Sequence, residues 1–179
     1  MARPGALLSQ GRQRRFDILI FVTVGTHPQQ FDRLLRAADS LNEPVFAQIG
    51  NSSYVPQRCR WERFVDQPTF LQAVKDADVV VTHAGVGSIV TALEQGRPVV
   101  AVPRLKRFGE HTDDHQLQIA TQLAQAGRIV VLNDVADLHK AIEAARNIAP
   151  AKLGGSGRVM ELIEGFLQTL EAGPTMSKL

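Results

Sequence analysis

In the segment THAGVGSIVTALEQGRPVVAVP, residues 82–103, the imidazole of His83 stands beside two glycines, Gly85 and Gly87, with the hydroxyl of Ser88 directly after them. Glycines remove Cβ atoms from a short loop, so a bulky group can come close to the main chain. Ser88 is read as the start of a helix, whose free amides and partial positive charge favour an anion, above all a phosphate. A tight strand-to-helix turn with no ligand uses the same glycines. The balance shifts toward a site because two other polar loops also close strands: Gly25, Thr26 and His27 follow the first, and GEHTDDHQ, residues 109–116, follows a later one.

Competing chemistries meet contrary residues. No G-x-G-x-x-G follows the first strand, and the second ends in Gln48, Ile49 and Gly50 rather than in the acid that would hold the ribose of NAD. No G-x-x-x-x-G-K-[ST] is present either. His111, Asp113, Asp114 and His115 carry metal-ligating atoms, but Asp113 and Asp114 sit where a helix begins and a carboxylate serves as a local cap, so no metal is expected. His27, just ahead of Pro28, also suits a capping role. Trp61, Phe64 and Phe70 are read as core side chains.

These loops need elements to hold them. Runs of Val and Ile without polar alternation predict strands at 17–24, 44–49, 60–65, 78–82, 98–102 and 128–132, as expected of parallel strands covered on both faces. Amphipathic stretches predict helices at 29–41, 68–76, 88–95, 113–126, 134–147 and 156–171. Strand and helix in alternation imply right-handed crossovers, hence an α/β fold with a Rossmann-like, doubly wound parallel sheet of six strands. Gly96 is placed as the residue that stops the helix after Ser88, and Pro98 opens the next strand. LGGSG, residues 153–157, follows a helix and reads as a hinge.

The 179 residues, 44% of them hydrophobic, suit one domain, taken as 17–171, between a basic leader at 1–16 and a tail at 172–179. A net charge of +2 is too small for a protein that reads phosphates along nucleic acid, so no nucleic-acid partner is expected. The lone cysteine, Cys59, forms no internal disulfide, which fits a cytoplasmic location. FDILIFVTV is too short to cross a bilayer. The final Ser177-Lys178-Leu179 matches a peroxisomal address by a pattern too short to weigh.

Taken together, THAGVGSIVTALEQGRPVVAVP, HTDDHQLQIATQLAQAG and the opening IFVTVGTHPQQFDRLL resemble the nucleotide-sugar-binding, C-terminal half of GT-B glycosyltransferases of family 28 over residues 18–145. The likeness is to the free-standing subunits of two-component enzymes, such as those of exopolysaccharide and dolichol-linked saccharide synthesis. It implies one half of a GT-B fold and a UDP-sugar donor, with transfer to a lipid-linked saccharide. His83 and Ser88 would stabilise the leaving diphosphate as catalytic groups, alongside Gly85 and Gly87, with Gly25, Thr26 and a helix N-terminus at 28–30 beside them. Phe64 and Val65 would meet the uracil through backbone groups, and His115 and Gln116 would contact the donor sugar. Where the family often has a carboxylate for the ribose, this chain has Thr91, and Glu94, three residues further along the same helix face, is the substitute. The resemblance also implies inversion of stereochemistry, no cofactor and no required metal. The acceptor face and general base would come from a membrane-anchored partner, which leaves this chain peripheral at the cytoplasmic side of a membrane and nearly inactive alone. A non-catalytic nucleotide or phosphate-binding module on the same scaffold is the alternative.

Overall fold

The computed structural model describes residues 20–110, 120, 121, 123–125 and 127–148. Six strands form one sheet: β1 (Ile20–Thr23), β2 (Val45–Gln48), β3 (Arg60–Glu62), β4 (Val79–Thr82), β5 (Val99–Ala101) and β6 (Val130–Val131). Every pairing is parallel and the order is β3-β2-β1-β4-β5-β6. The chain works outward from β1 in one direction, then returns to β1 and works outward in the other. The reversal leaves β1 and β4 side by side, with Thr23 opposite Thr82, and connections that depart to opposite faces. That divergence opens a crevice at the carboxyl ends of the two strands.

All residues of β1, β2 and β4 are buried, because each strand supplies alternate side chains to two cores. Ile20, Val22, Val45, Ala47, Val79 and Val81 face one core with helices α1 (Asp32–Asp39) and α4 (Leu138–Arg146). Phe21, Phe46, Val80 and Val99 face the other with α2 (Gln67–Asp76) and α3 (Val86–Glu94). Phe21 stacks on Phe46 at 5.7 Å and meets the edge of Phe70 at 5.3 Å.

α3 ends as expected. Gly96 adopts φ +67°, its amide donates to Leu93 O and the Arg97 amide to Ala92 O, a Schellman motif. Gly127 repeats it with Ala124 and Leu123, closing the helical residues 120, 121 and 123–125 within the predicted helix 113–126. The leader 1–16, the hinge 153–157, the helix 156–171 and the tail 172–179 lie outside the described residues.

Two expectations require correction. The helix predicted from 29 begins at Asp32, so no helix N-terminus lies at 28–30. The buried guanidinium of Arg104 draws the carbonyls of Gln29 and Gln30 to its Nη1, at 2.9 and 3.2 Å, which holds that segment as a loop. The third strand stops at Glu62, and Phe64 lies beyond it at 50% exposure rather than in the core. Trp61 is half-buried against the α1 face.

Candidate functional site

A cleft of about 440 Å³ occupies the crevice at the β1/β4 switch point. Thr23, Gly25 and Thr26 come from the end of β1, Gln48 from β2, and His83, Gly85, Gly87 and Ser88 from the end of β4 and the start of α3. Val65, Gln67 and Phe70 close it on the α2 side. No described lining residue is a carboxylate.

The glycines act differently from the sequence expectation. A Cβ at Gly25 would stand 2.5 Å from Cε1 of His83, and one at Gly85 would fall on Nε2 of the same ring. The imidazole is therefore sandwiched between two bare backbones, and Gly25 and Gly85 make room for His83 before they make room for any ligand. Gly87 has open space where its Cβ would lie. It is the one of the three whose missing side chain leaves the cleft itself clear. Ala84, fully buried between His83 and Gly85, adopts φ +60°, a conformation that costs a non-glycine residue about 1–2 kcal/mol. This twist turns the chain from β4 into α3. Thr82 Oγ1 lies 3.4 Å from Nδ1 of His83.

α3 begins at Val86, two residues earlier than expected, with Gly85 as its N-cap and no side chain capping it. The first helical amide bond runs from Ile89 N to Gly85 O, so the amides of Val86, Gly87 and Ser88 have no intrahelical acceptor. α2 is the opposite case: Asp66 accepts from Thr69 N at 2.9 Å, and Thr69 holds that carboxyl below its ordinary range. One helix end on the cleft thus carries its own anion and the other lacks one.

The remaining expected residues divide. Val65 lines the cleft, and its amide and carbonyl make no hydrogen bond among the described residues. Phe64 does not line it. Thr91 donates its hydroxyl to Gly87 O at 2.9 Å and points along α3, and Glu94 is exposed at the far end of that helix; neither reaches the cleft. His27 accepts from Gln29 N through Nδ1 at 3.4 Å, a local turn in place of the expected helix cap. His115 and Gln116, with the other residues of the HTDDH cluster, lie outside the described residues. Among the described residues no group of three His, Cys, Asp or Glu gathers.

Sequence reasoning did not assign Thr23, Gln48 and Gln67 to the site, and it read Phe70 as core alone. Thr23 and Gln48 carried a signal, each a polar residue at the end of an apolar run. Arg104 was also missed. It is 1% exposed, lies 4.7 Å above the Phe31 ring, and donates to Val24 O at 2.7 Å and to Glu110 O at 3.2 Å, besides Gln29 and Gln30. Burial lowers its pKa to about 10, with the nearby Glu110 acting in the opposite direction. Glu110 in turn accepts from Arg33 Nε at 2.7 Å and from Leu105 N at 3.0 Å. This network joins the loop bearing Gly25 and Thr26 to the one that leads into residues 111–116.

A 3-2-1-4-5-6 parallel sheet with a glycine-lined cleft at its switch point defines a Rossmann-like α/β domain. Residues 19–153 match the glycosyltransferase family 28 C-terminal domain, and the chain belongs to that family. It is 35% identical over 125 residues to the UDP-N-acetylglucosamine transferase subunit ALG13 of Homo sapiens, covering 62% of this chain and 10% of that protein. It is 26% identical over 148 residues to the UDP-N-acetylglucosamine--N-acetylmuramyl-(pentapeptide) pyrophosphoryl-undecaprenol N-acetylglucosamine transferase of Sorangium cellulosum, covering 82% of this chain and 32% of that one. The chain thus spans about a tenth and about a third of these relatives. Its fold matches the NMR structure of ALG13 with a TM-score of 0.59 at 17% identity, over 82% of this chain and 94% of that one. It matches the calicheamicin glycosyltransferase CalG4 with a TM-score of 0.56 at 18% identity, over 88% of this chain and 45% of that one. The domain corresponds to one half of the GT-B fold.

Proposed function

We propose that this chain is the donor-binding, catalytic subunit of a two-component glycosyltransferase. It takes a sugar from a UDP-sugar and passes it to a lipid-linked saccharide. The observation that carries the reading is the uncapped α3 terminus beside His83, open to a cleft with no carboxylate among its described lining residues. Three amides without intrahelical acceptors, the Ser88 hydroxyl and His83 suit a diphosphate, and they stabilise negative charge as it builds on the leaving group. The free backbone groups of Val65, across the cleft, suit the uracil edge. The names of the two relatives make N-acetylglucosamine the donor sugar to test first. The pyrophosphoryl-undecaprenol in the second name favours a lipid-linked acceptor, and the word subunit in the first favours a partner; in this reading that partner is membrane-anchored and supplies the acceptor face and general base. In this reading no metal is required, and the chain sits at the cytoplasmic face of a membrane through that partner. No helix among the described residues is long and apolar enough to cross a membrane.

The test is a thermal-shift panel of UDP, UDP-N-acetylglucosamine, GDP-mannose and NAD on wild type and on His83→Ala. A ligand that binds only the folded state raises the melting temperature by mass action. The expected result is a shift selective for the uridine ligands, lost in His83→Ala. Equal shifts with NAD, or equal shifts in the variant, overturn the proposal.

A further inference from the structure

Arg104 follows β5 and is buried, with its guanidinium charged at neutral pH because burial lowers its pKa only to about 10. Among the described residues its hydrogen bonds go to main-chain carbonyls: Nη2 donates to Val24 O, and Nη1 to Gln29 O, Gln30 O and Glu110 O. An apolar side chain would fill this space at less cost than a charge solvated by carbonyls. What the guanidinium adds is its fork, two rigid arms that reach several acceptors at once.

Three of those carbonyls belong to one loop. Val24 precedes Gly25, Thr26, His27 and Pro28, and Gln29 and Gln30 follow them, so the fork pins the loop at both of its ends. Between the ends, Gly25 stands at φ +72° with its bare Cα against the His83 ring. On its other side the loop backs onto Gly50, where a Cβ would lie 2.7 Å from Gly25 O. Asn51 adds a bond to His27 O at 3.1 Å, at the surface. Gly25 is thus wedged between a ring and a backbone, and Arg104 fixes how deep it sits. Arg33 makes its own bonds to Pro103 O and the Glu110 carboxylate, which tie α1 to the same segment and leave the 24–30 loop as the part that depends on Arg104.

We infer that Arg104 is a positioning residue of the ligand site: by pinning both ends of the 24–30 loop it seats Gly25 against His83 and so holds the imidazole where a ligand meets it. The inference rests on the nucleotide reading above and adds to it a residue that does not itself line the cleft. Without the fork, the carbonyls of Val24, Gln29 and Gln30 lose a buried donor and turn toward water. The loop then lifts, and the ring gains room to leave the cleft wall.

The test combines isothermal titration of the full chain with UDP and the NMR resonance of the His83 Cε1 proton, assigned by its loss in His83→Ala. Thermal unfolding is the control for folding. Arg104→Met fills much of the space and removes every donor; UDP binding is expected to weaken about tenfold, and the His83 resonance to move toward that of a histidine in water. Arg104→Lys keeps the charge but offers one nitrogen in place of two arms, so both readouts are expected to follow Arg104→Met rather than wild type. A role in stability alone lowers the melting temperature and leaves UDP affinity and the His83 resonance where they are. A folded Arg104→Met in which either readout is unchanged therefore overturns the inference and leaves the nucleotide reading standing, as does full recovery of both in Arg104→Lys. If Arg104→Met does not fold, Arg104→Lys decides by the same two readouts. Wild type that does not bind UDP overturns both the inference and the reading beneath it.

Discussion

His83 owes its place to what its neighbours lack. The ring fills the space that side chains at positions 25 and 85 would take, so the three residues form one unit. Gly85 has φ −73°, which alanine adopts freely, and the damage from Gly85→Ala is therefore confined to the ring it displaces. Gly87 has no such neighbour. Gly85→Ala is expected to weaken UDP binding at least as much as His83→Ala, by about tenfold or more. Gly87→Ala is expected to leave the melting temperature unchanged or raise it, with a gain of at most about 1 kcal/mol from helix propensity. Titration with UDP and thermal unfolding of the two variants separate these outcomes. A Gly85→Ala variant that binds UDP as wild type does would mean that the ring does not depend on the bare backbone around it.

Among the elements, α1 shows how one side chain fixes a loop. Asp39, its last residue, accepts from the amides of Gln57, Arg58 and Cys59 and from the Tyr54 hydroxyl, at 2.7 to 3.0 Å. These bonds anchor the segment that leads into β3. Burial acts to raise the Asp39 pKa, but the bonds from Gln57, Tyr54, Arg58 and Cys59 outweigh it and bring the carboxyl from 3.8 to about 2. The folded pKa lies below the unfolded one, so this stabilisation is fully present above about pH 4 and is lost as the pH falls toward 2. It amounts to about 2 kcal/mol. The urea midpoint of wild type is expected to fall across that window, and Asp39→Asn should start lower and fall less. Parallel curves would show that the carboxylate contributes nothing. Burial pushes the adjacent Cys59 thiol up to about 12, which makes it a packing residue and not a nucleophile at neutral pH.

At the scale of the whole molecule, a single sheet edge supplies the cleft, and Arg104 and Glu110 link the loops beyond β1 and β5 across it. Every charge-stabilising group in the proposed mechanism is an amide, a hydroxyl or an imidazole. Transfer from UDP-N-acetylglucosamine by the complex is therefore expected to proceed unchanged in excess EDTA, while this chain assayed without its partner transfers little or nothing. A product assay with and without chelator and partner measures both. Loss of activity in EDTA would require a metal that this mechanism omits.

Among the described residues, the amino-acid sequence by itself determined the order of the six strands and the helices between them. Unbroken Val and Ile runs are stable only when covered on both faces, and Gly96 ends α3 because its φ is one that other residues adopt at a cost. The His83, Gly85, Gly87 and Ser88 cluster was legible as a contiguous motif, but the use of Gly85 to seat the His83 ring was not. Only the tertiary structure decided which distant residues meet. Gln48 and Thr23 become a floor through parallel pairing in register, Arg104 is seated by carbonyls that include one eighty residues away, and Phe64 is exposed because the edge strand stops two residues short of it. Pairing and burial of that kind depend on long-range contacts, which no local pattern of residue types encodes.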